Sequence, residues 1–101
     1  LGVPAIVLGE LRTGFLLGAR ADANESELRE FLAHTVVSLL SVDDLASRIY
    51  AEIVVALRRK GVRVPTNDIW IAALAAREGA TVLTYDAHFD SIERVGVHRL
   101  V

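Results

Sequence analysis

Two aspartates, Asp68 and Asp86, stand at positions where an α/β protein presents side chains to a ligand. Asp68 ends Pro65-Thr66-Asn67-Asp68, whose residue types open a helix, because proline is tolerated in a first turn and Thr, Asn or Asp can cap one. Asp86 comes shortly after the apolar run 80–84, which has the length and composition of a buried strand. In open α/β sheets, ligands bind beyond the carboxyl ends of the strands. A catalytic or metal-binding acid is therefore expected at Asp86, and Asp68 could reach the same crevice.

Glu10 is a third candidate, because it interrupts an otherwise apolar helix face in the stretch 4–17. At about 100° per residue, the positions closest to it on that face are Val3, Ile6, Gly14 and Leu17. From the residues alone, two interpretations stay open. Glu10 is either a boundary glutamate, with its stem along the apolar face and its carboxylate in water, or a functional acid.

The stretch 65–89 also carries a family pattern, P-x-N-D-x-x-I-A-A-x-A, then G, then L-T-x-D-x-H-F. The matching residues are Pro65, Asn67, Asp68, Ile71, Ala72, Ala73, Ala75, Gly79, Leu83, Thr84, Asp86, His88 and Phe89. In this joint spacing the chain resembles the C-terminal half of a PIN domain, and most closely the VapC-like ribonuclease toxins of toxin–antitoxin pairs. The segment 9–14 is similar to the PIN motif G-E-L-x-x-G, whose glutamate joins the metal site. This similarity favours a functional Glu10.

The resemblance implies an α/β fold of three layers, with a central parallel sheet flanked by helices, and a single PIN-like domain over residues 1–101. It also implies that Glu10, Asp68 and Asp86 converge as metal ligands and catalytic residues. Converging carboxylates would raise each other's pKa unless a cation neutralised them. An all-oxygen ligand set favours Mg²⁺ or Mn²⁺ over zinc, and such a cation supports cleavage of phosphodiesters. The implied partners are an RNA substrate, a cognate antitoxin and a second copy of the chain in a homodimer.

Three residues near the two aspartates are weaker candidates. Asn67 and Thr84 could hydrogen-bond a ligating carboxylate, or could simply be a helix cap and a strand-end residue. His88 could act in acid–base chemistry, but a turn-stabilising role is favoured because the expected mechanism needs no histidine.

A run of cations precedes the acidic stretch: Arg58, Arg59, Lys60 and Arg63. Cations belong at a helix C-terminus for electrostatic reasons alone. The same residues are the best candidates for a surface that follows the phosphates of a nucleic acid.

The composition sets limits on the function. At 101 residues, 52% hydrophobic and 24% charged, the chain has the balance of one globular domain. The absence of cysteine excludes disulfides and thiolate metal sites and fits a cytoplasmic location. No apolar run approaches the roughly 20 residues that cross a membrane. A net charge of −2 argues against binding nucleic acid by bulk charge, although a local basic surface could bind it.

The patterning predicts helices over 4–17, 24–34, 44–60 and 67–78, and strands over 36–40, 81–84 and 97–100, with a helical turn over 87–92. Asn24 and Glu27 are predicted to form a capping box, and Asp43 or Ser41 to cap the long third helix. The strand over 36–40 is expected to be parallel and buried.

A full PIN domain has an aspartate-bearing strand and a helix before the part that this sequence resembles. The chain is therefore expected to represent the last three-quarters of the family domain, without the first strand, the first helix and the first acidic ligand. The absence of methionine also suggests that Leu1 is not the native start. Without the first acidic ligand, the chain is expected to bind metal more weakly. Without the first strand, it is expected to fold less readily in isolation, since unpaired strand edges are costly.

Two functions from different classes follow. The first is a metal-dependent endoribonuclease toxin. The alternative is a non-catalytic, truncated PIN remnant that binds an antitoxin or a second copy through apolar helices. A receiver-like phosphoacceptor is discounted, because it requires a lysine at a late strand end and the only lysine, Lys60, lies at a predicted helix end.

Overall fold

A computed structural model describes residues 1–100 of the chain. The helices are α1 (Ala5–Leu17), α2 (Ala21–Leu32), α3 (Asp44–Lys60), α4 (Thr66–Arg77) and the 3₁₀ helix Ala87–Ser91. The strands are β1 (Gly2–Pro4), β2 (Ser38–Leu40), β3 (Thr81–Thr84) and β4 (Gly96–Arg99).

The chain divides into two compact units, an N-terminal unit (Leu1–Ser41) and a C-terminal unit (Val42–Val101). Each unit contains one parallel strand pair, β1 with β2 in the first and β3 with β4 in the second. The predicted α/β class with parallel strands is therefore confirmed. The single-domain prediction stays a prediction.

The C-terminal unit has one continuous hydrophobic core built from α3, α4, β3 and the segment around the 3₁₀ helix. Its buried members are Ile49, Ile53, Leu57, Ile69, Ala72, Ala73, Ala75, Val82, Phe89, Ile92 and Val95. The alanines of α4 leave little side-chain volume, so α3 can pack closely against it, and Tyr50 of α3 stacks on Trp70 of α4 with ring centroids 3.8 Å apart. This packing fixes the start of α4, which carries Asp68.

The ends of α3 follow the sequence signals. Asp43 caps the helix, because its carboxylate accepts a hydrogen bond of 2.9 Å from the Ala46 N–H. The same carboxylate pairs with Arg77 of α4 at 3.1 Å. At the other end Gly61 adopts the left-handed conformation with φ of 70°, which favours glycine. The prediction of Asp43 as cap and of the boundaries 44–60 is confirmed.

The predicted start of α2 is wrong. The helix begins at Ala21 with Arg20 as its N-cap, and the Asn24 N–H donates to the Arg20 carbonyl at 2.9 Å. Asn24 and Glu27 thus lie inside the helix and not in a capping box. The alanines of the segment 19–23 are strong helix formers, and they allow the helix to begin earlier. Glu25 is held by Arg12 of α1 through two hydrogen bonds of 2.8 and 3.0 Å.

Two further differences concern the strands of the N-terminal unit. Val3 and Pro4 belong to β1, so α1 begins at Ala5 and Pro4 is its extended N-cap. β2 is shorter than the predicted 36–40, and Leu39 on it is 56% exposed, so this strand is parallel but not buried. Short apolar runs do not reveal whether another element covers them.

Within residues 1–100, no helix is both long enough and apolar enough to cross a membrane.

Candidate metal centre

Helix α4 places Asp68 in its first turn. The helix begins after Pro65, whose extended backbone leads into Thr66. Ile69 is buried in the core next to Asp68, so the backbone at this point is fixed. The Asp68 side chain is 17% exposed, and its Oδ2 atom is accessible to neighbouring side chains.

Asp86 lies two residues beyond the carboxyl end of β3, as predicted. Its backbone N–H donates to Oγ1 of Thr84 at 3.0 Å, and its own Oδ1 accepts from the His88 N–H at 2.8 Å. The second bond makes Asp86 the N-cap of the 3₁₀ helix. With Oδ1 engaged in the cap, Oδ2 is directed elsewhere, and it lies 3.1 Å from Nδ1 of His88.

His88 joins the two aspartates in one cluster. Its Nδ1 atom lies 3.1 Å from Oδ2 of Asp68 and 3.1 Å from Oδ2 of Asp86. Asp68, Asp86 and His88 each offer one ligand atom, and these three atoms lie within 4.8 Å of one another. Asp68 and Asp86, 18 residues apart in the sequence, therefore meet at one point of the C-terminal unit.

His88 is the member of this cluster that the sequence did not single out as a ligand. The predicted turn-stabilising role is present in its backbone, which donates to Asp86. Its imidazole, however, is turned to the two carboxylates. The available signal was the spacing D-x-H at the start of a helical turn, where an aspartate that caps the turn holds the residue two positions later beside its own carboxylate.

Thr84 ends β3 two residues before Asp86, and Asn67 directly precedes Asp68 in the first turn of α4. Thr84 supports Asp86 through the backbone N–H and not through the carboxylate. Asn67 lies one residue inside α4, so Pro65 and not Asn67 occupies the N-cap position. Hydrogen bonding between Asn67 and a ligating carboxylate stays a prediction.

Glu10 lies in the middle of α1, in the N-terminal unit, where it is exposed. The residue of α1 that is buried is Leu8, whereas Leu17, predicted on the same face as Glu10, is 85% exposed. The participation of Glu10 in the site of Asp68 and Asp86 stays a prediction.

The family model described as "PIN domain" matches residues 1–95 of the chain. The chain belongs to the PIN domain family. It is 36% identical to Ribonuclease VapC5 of Mycobacterium tuberculosis over 87% of its own length, and 35% identical to Ribonuclease VapC4 of the same organism over 95%. It spans 65% of the length of VapC5 and 74% of that of VapC4.

A solved structure supports the same assignment for this PIN domain. VapBC-5 from Mycobacterium tuberculosis, a member of the VapBC family of toxin–antitoxin systems, superimposes with a TM-score of 0.80 at 35% identity, over 96% of this chain and 79% of that one. The PIN-like fold is therefore confirmed, as is the resemblance to VapC proteins.

The donor set of this PIN domain fits a divalent cation. Two carboxylate oxygens and one imidazole nitrogen come within reach of a single ion, and Asp68 and Asp86 occupy the motif positions that carried the resemblance. His88 is in contact with both carboxylates.

Proposed function

We propose that the protein is a metal-dependent endoribonuclease, the toxin of a cytoplasmic toxin–antitoxin pair. In this proposal Glu10, Asp68 and Asp86 are the catalytic residues and hold Mg²⁺ or Mn²⁺. The observation that carries it is the meeting of Asp68 and Asp86 at one point, in a chain whose PIN relatives include proteins named ribonucleases.

Asp68 and Asp86 are held in place by different elements of the C-terminal unit. A hard divalent cation held by the carboxylates would orient water and stabilise charge on a phosphoryl group. Asp68 is held from the rigid start of α4, and Asp86 from the cap of the 3₁₀ helix. Because Asp86 uses Oδ1 for the cap, the backbone also sets the direction of Oδ2, the oxygen that lies beside His88, and this preorganises the site.

Exposed arginines in the same unit support a nucleic acid substrate. Within residues 1–100, Arg58, Arg59 and Arg63 are exposed and make no ion pair, whereas Lys60 pairs with Glu93 at 2.9 Å. Lys60 also donates to the carbonyl of Ser91, the last residue of the 3₁₀ helix that Asp86 caps. A hydrogen bond thus connects the end of α3 to the 3₁₀ helix that begins directly after Asp86. Unpaired guanidinium groups at this end suit the phosphates of an RNA strand.

The proposed protein partner is an antitoxin, with a homodimer as the proposed assembly. Support comes from the likeness to VapBC-5, a member of the VapBC family of toxin–antitoxin systems.

The test compares two substitutions in the protein expressed from its complete gene. Asp86→Asn keeps an oxygen that can still cap His88, so the fold should be retained while the charge that holds the cation is lost. RNA cleavage should fall by more than about 100-fold, since even the outer partners of metal ligands are worth roughly 10–100-fold. Asp90→Asn, in the same 3₁₀ helix but facing Arg99 at 3.6 Å, is the matched control and should cleave normally.

The assay uses total RNA with Mg²⁺ or Mn²⁺, with EDTA as the metal-free arm. Full cleavage by Asp86→Asn would remove Asp86 from the site. An unmodified protein that cleaves no RNA with either metal would leave the non-catalytic binding module as the better description.

A further inference from the structure

We propose that His88 is a third ligand of the cation site and shifts its preference from Mg²⁺ toward first-row transition ions. This inference rests on the proposed function, because it assigns one more ligand to the same site. It differs from the sequence prediction, which treated the ligand set as all oxygen.

The distances within the cluster suit three ligands of one ion. Metal–oxygen bonds of roughly 2.1 Å leave neighbouring ligands of an octahedral ion about 3 Å apart. Nδ1 of His88 lies 3.1 Å from each of the two carboxylate oxygens, Oδ2 of Asp68 and Oδ2 of Asp86. The nitrogen thus occupies a position that suits a neighbouring ligand, and one ion can contact all three atoms.

The His88 backbone is held in place. Its N–H donates to Oδ1 of Asp86, and the next residue, Phe89, is 3% exposed in the hydrophobic core. The imidazole therefore has only its own two side-chain torsions to lose when it binds an ion. One carboxylate serves both purposes, since Oδ1 of Asp86 fixes the histidine backbone while Oδ2 faces its ring.

A nitrogen ligand changes which metal ions a site prefers. Magnesium is a hard ion that prefers oxygen and keeps much of its water, whereas imidazole is a good ligand for the later first-row ions. For a fixed site with nitrogen and oxygen donors, affinity rises from Mn²⁺ through Co²⁺. A histidine in this position therefore adds more affinity for Co²⁺ than for Mg²⁺.

The experiment measures binding of Co²⁺ and Mg²⁺ separately by titration calorimetry, at one fixed pH, to the protein expressed from its complete gene. In His88→Gln the Co²⁺ affinity should fall by about tenfold or more, and the Mg²⁺ affinity should change by less than about twofold. The visible absorption of bound Co²⁺ should also change, because one nitrogen ligand is replaced by oxygen or water. His98→Gln, on the exposed strand β4, is the matched control and should leave both affinities unchanged.

The outcomes separate this inference from the proposed function. If Asp86→Asn weakens both ions but His88→Gln leaves the ratio of the two affinities and the Co²⁺ spectrum unchanged, His88 only hydrogen-bonds the carboxylates and the inference is overturned. Asp86→Asn that affects neither ion would overturn the proposed site as well. The His88 side chain is 50% exposed, so substitutions there should leave the protein folded. His88→Ala is a second variant, and the same loss of Co²⁺ preference in it would support His88 as a ligand.

Discussion

The two units of the chain differ in how much apolar surface they bury. In the C-terminal unit, eleven buried residues form one cluster. In the N-terminal unit only Leu8 and Leu28 are buried, while Leu16 and Leu17 at the end of α1 are 80% and 85% exposed. Because burial of apolar surface is the main source of stability, the C-terminal unit is expected to be the more stable of the two.

Each unit has an ion pair that joins two of its elements, but the arginine is less exposed in the C-terminal unit. α1 and α2 are joined by Arg12 and Glu25, an ion pair that is partly exposed, and such pairs contribute little to stability. In the C-terminal unit, Arg77 pairs with Asp43 beside a closed core and joins α4 to the start of α3. Asp68, Asp86 and His88 all lie in this better packed unit. Glu10 lies in the other, so its role depends on the part of the chain with fewer buried contacts.

The largest difference between the units is expected for truncation of an apolar side chain. Ile53→Ala removes a side chain that is 2% exposed in the core, and it should lower the free energy of unfolding by about 2–5 kcal/mol. Leu16→Ala removes one that is 80% exposed, and the change should stay within about 0.5 kcal/mol. Urea denaturation of both variants measures the two values.

An equal loss in the two variants would break the comparison, because it would mean that Leu16 is covered in solution. Val55→Ala is a useful control for helix propensity, since Val55 lies on α3 two residues after Ile53 but is 45% exposed.

A smaller difference is expected between the glycines that end α3 and α1. Gly61 has φ of 70°, where an added Cβ is strained, so Gly61→Ala should cost about 1–2 kcal/mol. Gly18 has φ of −99°, and an added Cβ would lie 3.4 Å from the nearest carbonyl oxygen, an ordinary contact. Gly18→Ala should be neutral or gain up to about 1 kcal/mol. Thermal unfolding measured by circular dichroism distinguishes the two, and a destabilising Gly18→Ala would show that α1 ends differently in solution.

The comparison also explains how far the sequence could predict this structure. β3 was predicted with its observed boundaries, and α3 and α4 to within one residue, because Asp43, Pro65 and the glycines after these helices mark the ends chemically. The positions of Asp68 and Asp86 followed from the same signals. In the N-terminal unit, β1 was not predicted, and its three residues form a strand only through pairing with β2, more than 30 residues away.

Two features of the site could not be derived from the residues. That Asp68 and Asp86 meet came from the family resemblance, because a sequence gives the elements and not the angle between them. The orientation of the His88 ring depends on a hydrogen bond from its own backbone to Asp86 and on the place of α4 beside it. Neither is visible in a pattern of residue types.

The smallest expected effect is the loss of stability at acidic pH. The pKa of Asp43 is lowered, first by the hydrogen bond from the Ala46 N–H and then by Arg77, and the pKa of Glu25 is lowered, first by the hydrogen bond from Arg12. A carboxyl whose pKa is lower in the folded protein contributes stability above its unfolded pKa of about 4, and this contribution is lost as the pH falls through the folded pKa. Protonation of Asp43 should therefore destabilise the C-terminal unit, and protonation of Glu25 the N-terminal unit.

Asp43→Asn keeps an oxygen for the cap but loses the charge facing Arg77, and Glu25→Gln loses the charge facing Arg12. Each variant should be slightly less stable than the unmodified protein at about pH 7, and the difference should shrink as the pH falls through the lowered folded pKa of the carboxyl, because the unmodified protein then loses the same charge. Amide hydrogen exchange localises the effect. Asp43→Asn should reduce protection in α3 and α4, because Asp43 belongs to the unit that holds the core, whereas Glu25→Gln should reduce it in α1 and α2 alone. Reduced protection of α3 in Glu25→Gln would show that the two units unfold together and that their stabilities are not separate.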